Sequence, residues 1–265
     1  MTFSAPPRIY TAMEGRAGFE YMSWSLSRRL LGALPKGDGH SVLVLPGFTA
    51  ADSSTVQLRV LLRRLGYRTY GWKLGNNVGP TPAIVEGLDD RIRSISERAD
   101  GAPVSVIGWS LGGIYARDLA RRHPDIVRQV ITLGSPFRME PGDPSAARRL
   151  WNSVAPLHDP KAMQRMAQVD HEELLPVPST SVYTRTDGIV HWRTCLELKS
   201  PTSQNVEVFG SHCGLGFNTS VALVVADRLA QDVGEWRRFR PPFWAWGAFP
   251  RPANWRPPRE RRVAA

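Results

Sequence analysis

Gly108-Trp109-Ser110-Leu111-Gly112 places a serine between two glycines, each two residues away, with a further Gly113 behind them. That spacing suits a nucleophile on a sharp strand-to-helix turn, where residues without a Cβ let the two backbones approach. A buried-type run, Val104 to Ile107, precedes the pattern, and Leu111, Tyr115 and Leu119 follow it at helical spacing. The N-terminus of such a helix would turn its unpaired N–H groups toward an oxyanion formed at the serine. A serine hydroxyl is a weak nucleophile at neutral pH. It needs a base, and the base needs an orienting carboxylate.

Both stand later in the chain, in the order serine, acid, histidine. Asp187 lies in Thr186-Asp187-Gly188, just past a predicted strand, although the same residues also fit an ordinary Asp-Gly turn. His212 lies in Gly210-Ser211-His212-Cys213-Gly214, past the last predicted strand and before the last helix, on the same rim by strand polarity. Of the other histidines, His40 precedes a strand, His123 ends a helix on the opposite side, and His158 and His171 fall in an insertion. His191 is the one rival, four residues after Asp187, and a candidate to line a pocket. Trp109, Trp72 and Phe48 are further pocket candidates, against the ordinary alternative that aromatics near a core are core. A second oxyanion donor belongs in Pro46-Gly47-Phe48-Thr49, so the N–H groups of Phe48 and Leu111 are the candidate pair.

The elements that must position these residues are legible as alternating apolar runs and amphipathic stretches. Strands are predicted at 41–45, 69–72, 104–108, 127–133, 179–184 and 206–209. A helix begins near Asp52 and ends at Gly66. Another follows the Thr81 cap with Pro82 at its first position, and a last one follows the Asn218 cap. Residues 15–34 read as a helix. The expected fold class is α/β, a mostly parallel sheet of about six strands flanked by helices, with a small helical insertion. The divisions are an N-terminal helical segment at 1–40, a core at 41–134 and 179–235, the insertion at 135–178, and a tail at 236–265. The insertion carries Leu150, Trp151, Val154, Leu157, Met163 and Met166. It is either a lid over an apolar acyl pocket or a packed subdomain.

The residues from Gly108 to Gly113, loop 45–49, Thr186-Asp187-Gly188 and Ser211-His212-Cys213-Gly214 together resemble the α/β-hydrolase superfamily, in particular its lipase and esterase branch, over about residues 41–232. The resemblance implies an acyl-enzyme mechanism with Ser110 as nucleophile, His212 as base, Asp187 as orienting acid, and Phe48 and Leu111 as oxyanion donors. It implies no metal and no organic cofactor. The substrate it implies is a small-molecule acyl ester or lipid. Two departures stand out: the antiparallel strands that often open the full fold are replaced by the 15–34 helix, and the oxyanion loop lacks the histidine-glycine pair common in that branch. Rival readings are an acyltransferase or thioesterase with the same three residues, and a non-catalytic hydrolase-like binding protein.

With 265 residues, 42% hydrophobic and 22% charged, the chain has ordinary globular composition and suffices for one domain. The formal net charge of +10 is concentrated in the tail, where eight arginines stand against Glu260 and leave +3 for the rest. No nucleic-acid partner is therefore expected. The tail interleaves seven aromatics and six prolines with those arginines, which rules out a regular helix. It reads either as an interfacial membrane anchor or as a segment whose residues Phe243 to Trp246 fold back onto an apolar groove. No apolar run approaches a membrane span, and residues 1–36 lack the order of a secretory signal. A cytoplasmic protein, in one reading peripheral to the membrane, is expected. Cys195 and Cys213 read equally as a bridge between the acid and base loops or as two thiols.

Overall fold

The computed structural model describes residues 3–140, 142–169 and 173–250. Among the predicted features, His171 and the tail beyond 250, with Trp255 and five of the arginines, lie outside these residues.

Six parallel strands form one sheet: β1 (Ser41–Leu45), β2 (Arg68–Gly71), β3 (Val104–Trp109), β4 (Val127–Leu133), β5 (Ser179–Tyr183) and β6 (Ser203–Glu207), in the order β2-β1-β3-β4-β5-β6. The order reverses between β1 and β3. In open parallel sheets, ligands bind beyond the carboxyl ends of the strands at such a reversal.

Alternation along the strands splits the core in two. Val42 and Val44 of β1 face one layer, with Ile107, Ile131, Leu133 and Val182, while Leu43 and Leu45 face the other, with Val104, Val106 and Val130. The first layer is covered by α4 (Val56–Arg64), α9 (Thr219–Leu229) and the N-terminal segment through Trp24 and Leu31; the second is covered by α5 (Pro82–Glu97) and α6 (Leu111–Arg122). The caps read from sequence hold. Thr81 accepts from Ile84 N at 3.3 Å, and Asn218 accepts from Ser220 N and Val221 N at 2.9 and 3.2 Å.

Three stretches differ in detail from expectation, and in the first two a polar side chain bonds to distant backbone. The helix expected near Asp52 opens there as a 3-10 turn (Asp52–Thr55) that leads into α4 at Val56, and the Asp52 carboxylate accepts from Trp72 N and Lys73 N at the end of β2. β6 begins three residues early, at Ser203, because its polar residues are satisfied. Asn205 bonds both the N–H and the carbonyl of Glu197, and Gln204 bonds both those of Phe239. Phe209, placed in that strand by its apolar character, is 61% exposed. The 15–34 helix is instead a broken series: α1 (Arg8–Ala12), a 3-10 turn (Met13–Arg16), α2 (Ala17–Leu26) and α3 (Arg28–Leu31).

The insertion holds α7 (Arg148–Val154) and α8 (Pro160–Ala167). Arg165 pairs with Asp118 of α6 at 3.0 Å, His158 Nε2 lies 3.0 Å from the Val78 carbonyl, and Asp159 N donates to Pro80 O. These contacts pin α8 to the body. Trp151 of α7 meets the Phe48 ring edge-on at 5.4 Å.

The start of the tail covers the sheet edge. Phe239 is buried, Phe249 packs beside it with ring centroids 5.2 Å apart, and Arg238 donates to Ser200 O. The fold-back expected of Phe243 to Trp246 falls on other residues. Of those four only Ala245 is buried, while Phe243, Trp244 and Trp246 are 82%, 68% and 67% exposed. Among the described residues no helix is long and apolar enough to cross a membrane.

Candidate active site

Ser110 sits between β3 and α6 with φ 52° and ψ −121°, a left-handed conformation that costs a non-glycine residue about 1–3 kcal/mol. The surrounding backbone enforces it. A Cβ on Gly108 would stand 2.3 Å from Gly112 O and from Gly113 N and Cα, so only glycine lets β3 run so close beneath α6. Ser110 N donates to Leu133 O at 2.8 Å, which ties the turn to β4.

The loop after β1 closes the other side. A Cβ on Gly47 would lie 3.3 Å from Ser110 Cβ, so this loop runs against the serine. Thr49 N donates to Asn77 O and Ala50 N to Gly47 O, while the N–H groups of Phe48 and Leu111 donate to no described residue. Two free backbone donors thus flank Ser110. That is what an oxyanion at this position would require.

Asp187 and His212 follow β5 and β6, on the same rim. His212 Nδ1 lies 2.6 Å from Asp187 Oδ2, and both residues are buried. Asp187 Oδ1 accepts from Ile189 N and Val190 N, each at 2.8 Å, which fixes the carboxylate. Burial alone would lower the pKa of His212 by disfavouring its charged form. The Asp187 carboxylate, and behind it Glu14, outweigh that, so the imidazole titrates above its ordinary value. The ring also faces the turn after β4, since a Cβ on Gly134 would be 3.3 Å from Nδ1. Ser110 Oγ and His212 form no hydrogen bond among the described residues. They share a rim rather than a closed contact.

The remaining candidates take other places. Trp109 is half-buried, and its indole N–H donates to the His212 carbonyl at 3.0 Å, so it braces the histidine loop. Trp72 is fully buried, donates to Gly75 O, and belongs to the core beneath α5; it lines no open pocket. His191 stacks between Phe3 and Trp192, its Nδ1 accepting from Arg193 N, while the partner of Asp187 is His212. Cys195 is buried and Cys213 lies at the surface, both as free thiols, so no bridge joins the two loops.

Sequence reasoning missed three side chains. Glu14, Arg16 and Glu20 reach across from the N-terminal segment. Arg16 Nη2 donates to Thr186 O and Gly210 O, and Glu20 accepts from Ser211 N and Oγ. Glu14 accepts from Gly188, His212 and Cys213. No signal in the 15–34 periodicity points to them. Two surface grooves lie elsewhere, one between Trp24 and Leu61 and the other between Arg121 and Arg165, and neither includes Ser110 or His212.

No protein-family description and no curated relative matches the chain by sequence. In structure it is similar to Aspergillus fumigatus lipase B, with a TM-score of 0.57 and 16% identity, over 76% of this chain and 55% of that one. The chain thus spans about half the length of that lipase. It is also similar to Bacillus licheniformis lipase BlEst2 (TM-score 0.50, 15% identity, 75% and 95% covered) and to a Paleococcus ferrophilus monoacylglycerol lipase (0.50, 20%, 73% and 96%). Strand order, the strained serine turn after β3 and these superpositions agree: the chain has the α/β-hydrolase fold.

Proposed function

We propose that the chain is a serine hydrolase that cleaves carboxylic esters, with Ser110 as nucleophile, His212 as general base and Asp187 as the group that orients it. The observation that carries this reading is the placement of a strained, half-buried Ser110 on the same rim as the buried Asp187–His212 pair. In the reaction Ser110 Oγ attacks the carbonyl carbon as His212 Nε2 takes its proton. The oxyanion is held by Phe48 N–H and Leu111 N–H. The proton passes to the leaving alcohol, and water then repeats the sequence to release the acid. Phe48 and Trp151 above the oxyanion loop, with Leu150 and Leu157 exposed nearby in sequence, support a lipophilic acyl group.

Fluorophosphonate labelling, with turnover across acyl esters of increasing chain length, tests the reading. Ser110→Ala should abolish both labelling and turnover with the fold intact. Turnover that survives the substitution removes Ser110 from the role, and absence of labelling in the unaltered chain favours a binding protein. Labelling with more transfer than hydrolysis in the presence of an alcohol favours an acyltransferase, and a preference for thioesters favours a thioesterase.

We further propose that the tail touches lipid surfaces, a reading supported by the outward Phe243, Trp244 and Trp246 beside Arg237 and Arg240. Because Phe239 is core, the test replaces only the three outward rings by serine. Binding to vesicles containing phosphatidylglycerol should fall; equal co-sedimentation rules the contact out.

A further inference from the structure

Thr186-Asp187-Gly188 and Ser211-His212-Cys213 lie on separate loops, and the structure gives them a common support in the N-terminal segment. Glu14 Oε1 accepts from Gly188 N at 2.8 Å and from His212 N at 3.1 Å, and its Oε2 accepts from Cys213 N at 2.9 Å. One buried carboxylate thus holds the residue after the acid, the base itself and the residue after the base. The approach is close enough to exclude any side chain at Gly188, where a Cβ would meet Tyr10 O at 2.4 Å and Thr11 N at 2.6 Å. Thr11 Oγ1 closes the contact by donating to Gly188 O at 2.7 Å.

We infer that Glu14 is a positioning residue for the hydrolytic site: it fixes the acid and base loops to each other and stabilises the charged imidazole of His212 from behind. The inference rests on the hydrolase reading for its effect on turnover. Its effect on His212 does not depend on that reading. The charged or titratable groups facing His212 are Asp187 from the β5 loop, Glu14 from the 3-10 turn and the neighbouring Cys213. Arg16 and Glu20 reach the same loop through Gly210 O and Ser211.

Two substitutions separate geometry from charge. Glu14→Gln keeps an oxygen for Gly188 N and His212 N but loses the charge and the acceptor for Cys213 N; Glu14→Ala strands three N–H groups. For Glu14→Ala, kcat per fluorophosphonate-titrated serine should fall by between about tenfold and 100-fold with KM nearly constant, the scale of a small misplacement of a reacting group. Glu14→Gln should recover part of that loss and move the acid limb of kcat/KM to lower pH. The same downward shift should appear in the His212 imidazole titration followed by NMR in a Ser110→Ala background. Unchanged kcat per titrated serine and an unmoved NMR midpoint in Glu14→Gln would overturn the inference. If the unaltered chain shows no Ser110-dependent turnover, the hydrolase reading fails, and the NMR midpoint still decides the role of Glu14.

Discussion

The Asp187 carboxylate is divided between two tasks: Oδ1 is held by the Ile189 and Val190 amides, which leaves Oδ2 aimed at His212 Nδ1, 2.6 Å away. Under the proposed mechanism this keeps the Nδ1–H tautomer and leaves Nε2 free to accept the serine proton. Asp187→Asn preserves the shape but removes the charge and offers an N–H to the ring. Turnover should fall on the order of 10⁴-fold, as for loss of the orienting acid elsewhere, with KM little changed. Steady-state kinetics on folded protein checks this, and a loss below about tenfold would take Asp187 out of the role.

The raised pKa of His212 has a definite sign in the pH profile. An imidazolium cannot take the serine proton, so kcat/KM should climb as pH rises through the free-enzyme pKa of His212. The acid limb should therefore have its midpoint above 6.5, the ordinary value. Stability runs the other way. The contribution from this group is fully present below the unfolded-state pKa and is lost as pH rises through the higher folded-state value. A limb centred at or below 6.5 would contradict the electrostatics of the site.

Gly108 and Gly247 make a matched pair for the serine turn. Gly108→Ala forces a Cβ to within 2.3 Å of α6 backbone, whereas a Cβ at Gly247 meets nothing within 4 Å. The first should lose about 3 kcal/mol, the upper range for overpacking, and the second should change stability by less than about 0.5 kcal/mol. Urea denaturation of the two variants checks this. Equal midpoints would show that the turn relaxes more readily than its packing implies.

Why some of this was legible and some not is a matter of where the constraints act. Val42 to Leu45 face two cores, so every residue must be apolar, and the strand is visible in composition. The serine turn is visible because its tight backbone approach admits only glycine at Gly108. Glu14 bonds to backbone N–H groups more than 170 residues away, and a backbone donor imposes no side-chain type on the residue that carries it. The start of β6 was hidden for a related reason. Ser203, Gln204 and Asn205 are polar, and their strand character comes from pairing with β5 and from side-chain amides that bond to backbone. The insertion was recognisable as a break in alternation, but the contacts that pin α8, such as Arg165 with Asp118, join residues that no periodicity relates.

Gln204 and Phe239 show that the tail has a structural part as well as an exposed one. β6 is the edge of the sheet, and an unpaired edge is a template for association with another chain. The Gln204 amide bonds Phe239 N at 2.6 Å and Phe239 O at 2.9 Å, while the Phe239 ring enters the core beside Phe249. Phe239→Ala should therefore cost about 3–5 kcal/mol, as for a truncated core phenylalanine, and should promote association at the freed edge. Trp244→Ser, at a ring 68% exposed, should shift stability by less than about 0.5 kcal/mol. Thermal denaturation with light scattering on the two variants separates the outcomes. If Phe239→Ala is as stable and as monodisperse as Trp244→Ser, the tail does not close the sheet edge.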